Sequence, residues 1–130
     1  MSDSKSIQNI INTSALSFIA FPFLGIIIPL IIWKSRNSTS PETDDTAKEL
    51  LNFQITWVLA WIAGPVLISI PYMINFLDTI SISRIDSWIT YILTYTVGLY
   101  VINFIFILTN TYNIQKGKSV KYRPSFRFLV

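Results

Sequence analysis

WITYILTYTVGLYVINFIFILTN, residues 88–110, carries no charge over 23 residues. At 1.5 Å per residue a helix of that length reaches about 35 Å, enough to cross a hydrocarbon core of ~30 Å. Backbone N–H and C=O groups find no water in lipid, so a helix is the form the run must take. Its flanks read as ends: Asp86 or Ser87 as an N-cap, and Gly117 as the stop after a polar exit.

The rest of the chain agrees with a membrane setting. It has 130 residues, 52% hydrophobic and 13% charged, against about a quarter charged in ordinary soluble domains. Mean hydropathy is +0.51. So little charge cannot coat a soluble fold of this size, and so much apolar surface excludes a disordered chain. The fold class expected is an all-α integral membrane protein with three transmembrane helices.

Chemistry is limited by what is missing. With no His and no Cys, the usual zinc, haem and iron–sulfur ligands are lacking, and so are Ser–His and Cys–His pairs. The four glycines, Gly25, Gly64, Gly98 and Gly117, are too dispersed for a phosphate-cradling loop. The acids sit in or beside polar stretches. No catalytic residue, metal site or cofactor is expected, and the chain reads as a non-enzyme. The net charge of +3 suits a membrane surface. Three of the six lysines lie in the tail, and no nucleic-acid partner is expected.

Outward from the clean span, residues 78–86 read as an external connector and 47–77 as a second membrane helix. That helix opens at a Thr46-Ala-Lys-Glu49 capping box and is kinked by Gly64-Pro65 and Pro71. Residues 34–46 form a polar cytoplasmic loop. Residues 15–33 are uncharged but interrupted by Pro22, Gly25 and Pro29. They make either a kinked span, the preferred reading, or a re-entrant segment packed on its neighbours. Residues 1–14 are an interfacial segment with Ile7, Ile10 and Ile11 on one side, and 111–130 a cytoplasmic tail. From Lys121 to Phe128 the tail alternates: Lys121, Arg123, Ser125 and Arg127 against Tyr122, Pro124, Phe126 and Phe128. Period two reads as an extended strip.

Lys34, Arg36 and Lys48 flank the first loop and five cations sit in the tail, against Arg84 and Lys5 elsewhere. The positive-inside rule then places loop and tail in the cytoplasm of a multi-pass bacterial inner-membrane protein. Three spans put the N-terminus outside; if the first segment does not cross, it moves inside. Trp33, Trp57 and Trp88 fit an aromatic belt, and Gly64 and Gly98 sites of close helix approach. Asn75 and Asn103 are the polar residues inside the spans, and Asn103 should face another helix or a polar cavity.

Two stretches resemble a known family. They are 28–56, with Pro29-Leu30-Ile31-Ile32-Trp33-Lys34 and Lys48-Glu49-Leu50-Leu51-Asn52-Phe53-Gln54-Ile55, and 110–129, with Gly117-Lys118 and Tyr122-Arg123-Pro124-Ser125-Phe126-Arg127-Phe128-Leu129. The resemblance is to small uncharacterised bacterial membrane proteins. Those are distantly similar to the twenty-kilodalton membrane subunit of the chloroplast inner-envelope import translocon (Tic). Leu51 stands where that pattern has Ala, and its first-segment His is absent. The resemblance implies three or four helical spans.

The shared pieces would form one cytoplasmic cluster of Trp33, Lys34, Lys48, Glu49, Asn52, Gln54, Arg123, Pro124, Arg127 and Phe128. In it Arg123 or Arg127 pairs with Glu49, and Asn52 or Gln54 caps backbone opened by Pro29. The function expected is a non-enzymatic accessory subunit of a larger membrane complex, with protein translocation, export or membrane insertion as its process. Its partners would be membrane lipids and other integral membrane subunits. The alternative is a small homo-oligomeric channel or transporter lined by Asn75, Asn103 and threonines.

Overall fold

The computed structural model describes residues 2–36, 40–75, 81–123 and 125–129. Among them are four α-helices, α1 (Ser2–Ser14), α2 (Leu24–Lys34), α3 (Pro41–Ile74) and α4 (Ile82–Gln115), with a 3-10 turn, Ala15–Ile19, between α1 and α2.

Two of these, α3 and α4, are long and apolar enough to cross a membrane, where three spans were expected. Each has 34 residues, about 51 Å of helix. The α3 helix starts earlier than the Thr46 capping box suggested. Ser40 is the N-cap, its Oγ accepting from Thr43 N–H at 3.2 Å. Pro41 follows in the first turn, with Glu42 and Asp44. A proline needs no partner for the N–H it lacks, and acids favour the positive end of the helix dipole. Thr46 lies inside the helix and donates instead to Gln8 Oε1 at 2.9 Å. At its other end α3 runs to Ile74 with Asn75 as C-cap, and the expected end at Leu77 lies outside the described residues. The α4 helix is longer than the 87–110 expected. It is capped by Ser81 and runs to Gln115, where Gly117, at φ 75°, lets the chain leave.

The first apolar segment is not one continuous helix. Ala15–Ile19 is 3-10, residues 20–23 turn, and α2 has only 11 residues, about 16 Å. Pro22 has no N–H to continue the helix across the junction, and the Ser17 hydroxyl bridges the turn by donating to Leu24 O at 2.9 Å. The hydrogen bonds trace the path. Ser4 Oγ lies 3.0 Å from Ser40 Oγ at the start of α3, and further in Phe18 meets Trp57 edge-on at 5.2 Å. The chain then reverses. Gly25 lies against Gln54, and Trp33 Nε1 donates to Asp44 Oδ1 at 2.8 Å, back near the start of α3. Residues 2–34 therefore form a re-entrant hairpin that begins and ends at one end of the molecule, here called the base. The kinked-span reading of 15–33 is corrected to this hairpin, and the N-terminus lies with the first loop and the tail.

The core sits in the basal half. Buried residues of α3 run from Thr43 to Val58 and those of α4 from Asn103 to Ile114. They enclose Ile11, Phe18, Leu50, Ile107 and Tyr122. Trp57 belongs to this core and not to an interfacial belt: it is buried, packs on Phe18 and Tyr100, and donates to Leu99 O at 2.8 Å.

Beyond the core, among the described residues, only α3 and α4 continue, as an antiparallel pair. Trp88 Nε1 donates to Ser69 Oγ at 2.8 Å, and Tyr95 OH to Ala60 O at 2.6 Å. Gly64 is the closest approach, since a Cβ there would overlap the Tyr95 ring. Gly98, grouped with it from sequence, has nothing within 4 Å of such a Cβ. Gly64→Ala is therefore expected to destabilise the protein by about 1–3 kcal/mol through overpacking. Gly98→Ala should stabilise by up to about 1 kcal/mol through helix propensity. Thermal unfolding in detergent micelles reads both; equal shifts would contradict this packing.

Candidate functional site

The base is where polar chemistry collects. It holds an open cleft of about 1370 Å³ between α1, the start of α3 and the tail. Lys5, Lys48, Lys118, Lys121, Arg123 and Arg127 line it with Glu42, Asp45 and Glu49. Among the described residues no ion pair within 4.0 Å joins these groups, so the expected pairing of Glu49 with Arg123 or Arg127 does not form. The three side chains face one cleft without meeting. Among the described residues, no group of three or more His, Cys, Asp or Glu is placed to hold a metal ion.

The tail is held by side-chain amides. Asn110 grips Lys121 at both backbone groups: its Nδ2 donates to Lys121 O at 2.9 Å, and its Oδ1 accepts from Lys121 N–H at 2.7 Å. This is the pairing a neighbouring β-strand would supply, made by one amide. Tyr122 is fully buried against Phe53 and Phe106, and its hydroxyl donates to Asn12 Oδ1. Asn12 Nδ2 in turn donates to Ile107 O at 3.1 Å and Thr111 Oγ1 at 2.9 Å. Burial pushes the Tyr122 hydroxyl well above the ordinary tyrosine range.

Further along, Thr56 Oγ1 accepts from Phe126 N–H at 2.8 Å. Asn52 Oδ1 accepts from Phe128 N–H at 3.0 Å and Leu129 N–H at 2.7 Å, while its Nδ2 donates to Leu129 O at 3.1 Å. Asn52 and Thr56 share a helix face by their spacing, and that face receives the tail. Asn52→Ala should free the last residues. Tryptic cleavage after Arg127 is expected to accelerate about tenfold, the equivalent of ~1.4 kcal/mol of lost hydrogen bonding. Unchanged cleavage would show that the tail is held elsewhere.

The predicted cluster thus divides. Lys48, Glu49, Asn52, Arg123 and Arg127 surround the cleft. Trp33 and Lys34 lie apart on α2, with the Lys34 ammonium 4.2 Å from the Trp33 ring centroid. Pro124 lies outside the described residues. Phe128 is exposed beside Phe126, so the apolar side of the tail, buried at Tyr122, is uncovered at these two rings. Gln54 and Asn52 do not cap backbone opened by Pro29. Asn52 takes the tail, and Gln54 is fully buried and paired with Asn103.

That amide pair is reciprocal, with Gln54 Nε2 donating to Asn103 Oδ1 at 2.8 Å and Asn103 Nδ2 donating to Gln54 Oε1 at 3.0 Å. Asn75 caps the end of α3, its Nδ2 donating to Pro71 O at 2.7 Å. Asn103 is fully buried with its partner, whereas Asn75 is exposed. Sequence reasoning missed Asn12, Asn110 and Tyr122. The available signal was the recurrence of asparagines in an otherwise apolar setting, where each amide needs a partner.

The family described as the magnetosome magnetite crystal formation protein family (MamF/MmsF) matches residues 3–129. No curated protein and no solved structure matches the chain. The match corrects the resemblance drawn from residues 28–56 and 110–129. The family is not an import-translocon one, and the export or insertion role that rested on that likeness goes with it. The misleading motifs are those of the basal bundle and its tail: the Lys48–Gln54 helix and the Arg-rich ending pack a membrane protein without specifying its process.

Proposed function

The chain belongs to the magnetosome magnetite crystal formation family, and from that premise we propose that it works at the magnetosome membrane as a non-enzymatic accessory protein of magnetite crystal formation. The family match over residues 3–129 carries the reading. In it α3 and α4 anchor the protein in the bilayer and the base faces the cytoplasm. Of ten Lys and Arg residues, Arg84 alone lies at the far end, and the positive-inside rule assigns the rest to the cytoplasmic side. The basic cleft then sits at headgroup level, where it meets anionic lipid and the polar faces of other membrane subunits of the same assembly.

Deletion of the gene in a magnetite-forming bacterium tests this. Crystals of altered size or shape, restored by the wild-type chain, are the expected result, and the tagged protein should fractionate with the crystal-bearing membrane. Wild-type crystals in the deletion strain, or tagged protein absent from that membrane, would overturn the reading. An Arg123→Glu/Arg127→Glu variant that inserts normally should restore the crystals only in part.

A further inference from the structure

The two ends of the molecule differ in girth. At the far end the described membrane structure is two helices, α3 and α4. In the basal half α1 packs against both of them, α2 against α3 and the 3-10 turn against α4, and the tail lies along α3. From Ile19 through α2 the hairpin is apolar outward, while the exposed side chains of α1 and the tail include Lys5, Lys121 and Arg127 at the base. Phe21 at the tip of the re-entrant hairpin is 53% exposed and Ile31 on α2 is 59% exposed, and Ile27 shares the outward face. The α2 sequence is uncharged from Leu24 to Trp33. An exposed apolar helix on a spanning bundle has lipid as its partner, because contiguous apolar surface of this kind is not left in water.

Depth follows from the neighbours. Trp33 and Lys34 mark one end of the hairpin at the start of α3, and Phe18 beside Trp57 and Tyr100 marks its inward reach. That reach, from the level of Asp44 to that of Trp57, is 13 residues of α3, about 20 Å. The hairpin therefore occupies the headgroup and upper acyl region of one leaflet and leaves the other untouched.

We propose that the chain is a one-leaflet wedge that senses membrane curvature, favouring membrane in which the leaflet holding the α1–α2 hairpin is the convex, outer one. A body wider in one leaflet relieves packing defects where that leaflet is stretched, and shallow apolar insertion is sensitive to curvature for the same reason. The lipid surface is the ligand, and Phe21, Ile27 and Ile31 are the residues that read it. The inference rests on the membrane placement of α3 and α4 and is independent of any part in crystal formation.

The test uses the full chain, labelled at its N-terminus and reconstituted sparsely into giant vesicles of phosphatidylcholine and phosphatidylglycerol from which a thin tether is pulled. A membrane-impermeant quencher separates molecules whose base faces out from those whose base faces in. Base-out molecules should be enriched on the tether, on the order of threefold relative to the vesicle body, and base-in molecules depleted. Ile27→Ser/Ile31→Ser, which alters only outward-facing side chains, should bring both ratios towards one. Ile70→Ser, on the exposed far half of α3, should leave them unchanged. Micelle circular dichroism confirms that each variant is folded. Tether ratios of one for both orientations of the wild-type chain would overturn the proposal. So would a folded Ile27→Ser/Ile31→Ser variant that sorts like wild type.

Discussion

Tyr122→Ala should cost about 3–5 kcal/mol, the range for removing a large aromatic from a packed core. The side chain is fully buried and stacks within 5.0 Å of Phe53 and 6.3 Å of Phe106 by ring centroids. The tail would then detach, and trypsin would reach Lys118, Lys121 and Arg127 while α3 and α4 stay in the micelle. Tyr122→Phe isolates the hydroxyl. It leaves the ring packing intact and deprives Asn12 Oδ1 of its donor, for about 1–2 kcal/mol.

Alkali should act at the same place. Burial holds the folded hydroxyl protonated above the ordinary value of 10.0. Below that value Tyr122 is neutral in both folded and unfolded chains and pH has no effect through it. Above it the unfolded chain loses the proton and the folded chain keeps it, so stability falls as pH rises, by about 1.4 kcal/mol per unit. Tyr122→Phe should lack this component of the alkaline loss. An unfolding midpoint equally pH-dependent in the two proteins would show that Tyr122 is not its source.

The second large effect is expected at the amide pair. Gln54→Leu keeps the volume and leaves the Asn103 amide buried without its partner, a loss of about 1–3 kcal/mol. Asn103→Leu strands Gln54 in the same way. The double replacement removes both needs at once and should recover most of the loss, giving a coupling of about 1–3 kcal/mol in a double-mutant cycle. Additive single losses would mean that each amide is satisfied separately. Because Gln54 also lies against Gly25, the pair fastens α3, α4 and the re-entrant hairpin at one level, and its loss should loosen all three.

The two spans were legible because lipid leaves a long uncharged run few options, and 88–110 has the length and the polar exits of a crossing. The first segment was harder. Nineteen uncharged residues meet the same length test, and Pro22 and Pro29 allow either a kink or a reversal. What decides between them is Trp33 reaching Asp44 and Gly25 meeting Gln54, contacts between segments that no local pattern contains. The start of α3 was misplaced because Ser40-Pro41-Glu42 resembles loop composition until its capping geometry is seen. At the site, spacing put Asn52 and Thr56 on one face and charge made Glu49 and Arg127 look like partners. The first follows from helix periodicity. The second depends on where an extended tail lies, and that is set by Asn110 and Tyr122, whose roles appear only in three dimensions.

The amides that grip the tail have a consequence for how the protein is made. Asn52, Thr56 and Asn110 belong to segments synthesised before residues 121–129 and must wait for them. During biogenesis the basal half therefore stays unclosed until α4 has left the ribosome and both long helices have entered the bilayer. Closure then comes from the tail. A nascent chain halted before Lys121 should be inserted yet still open at its base, so membrane integration and maturation are separate events in the life of this molecule.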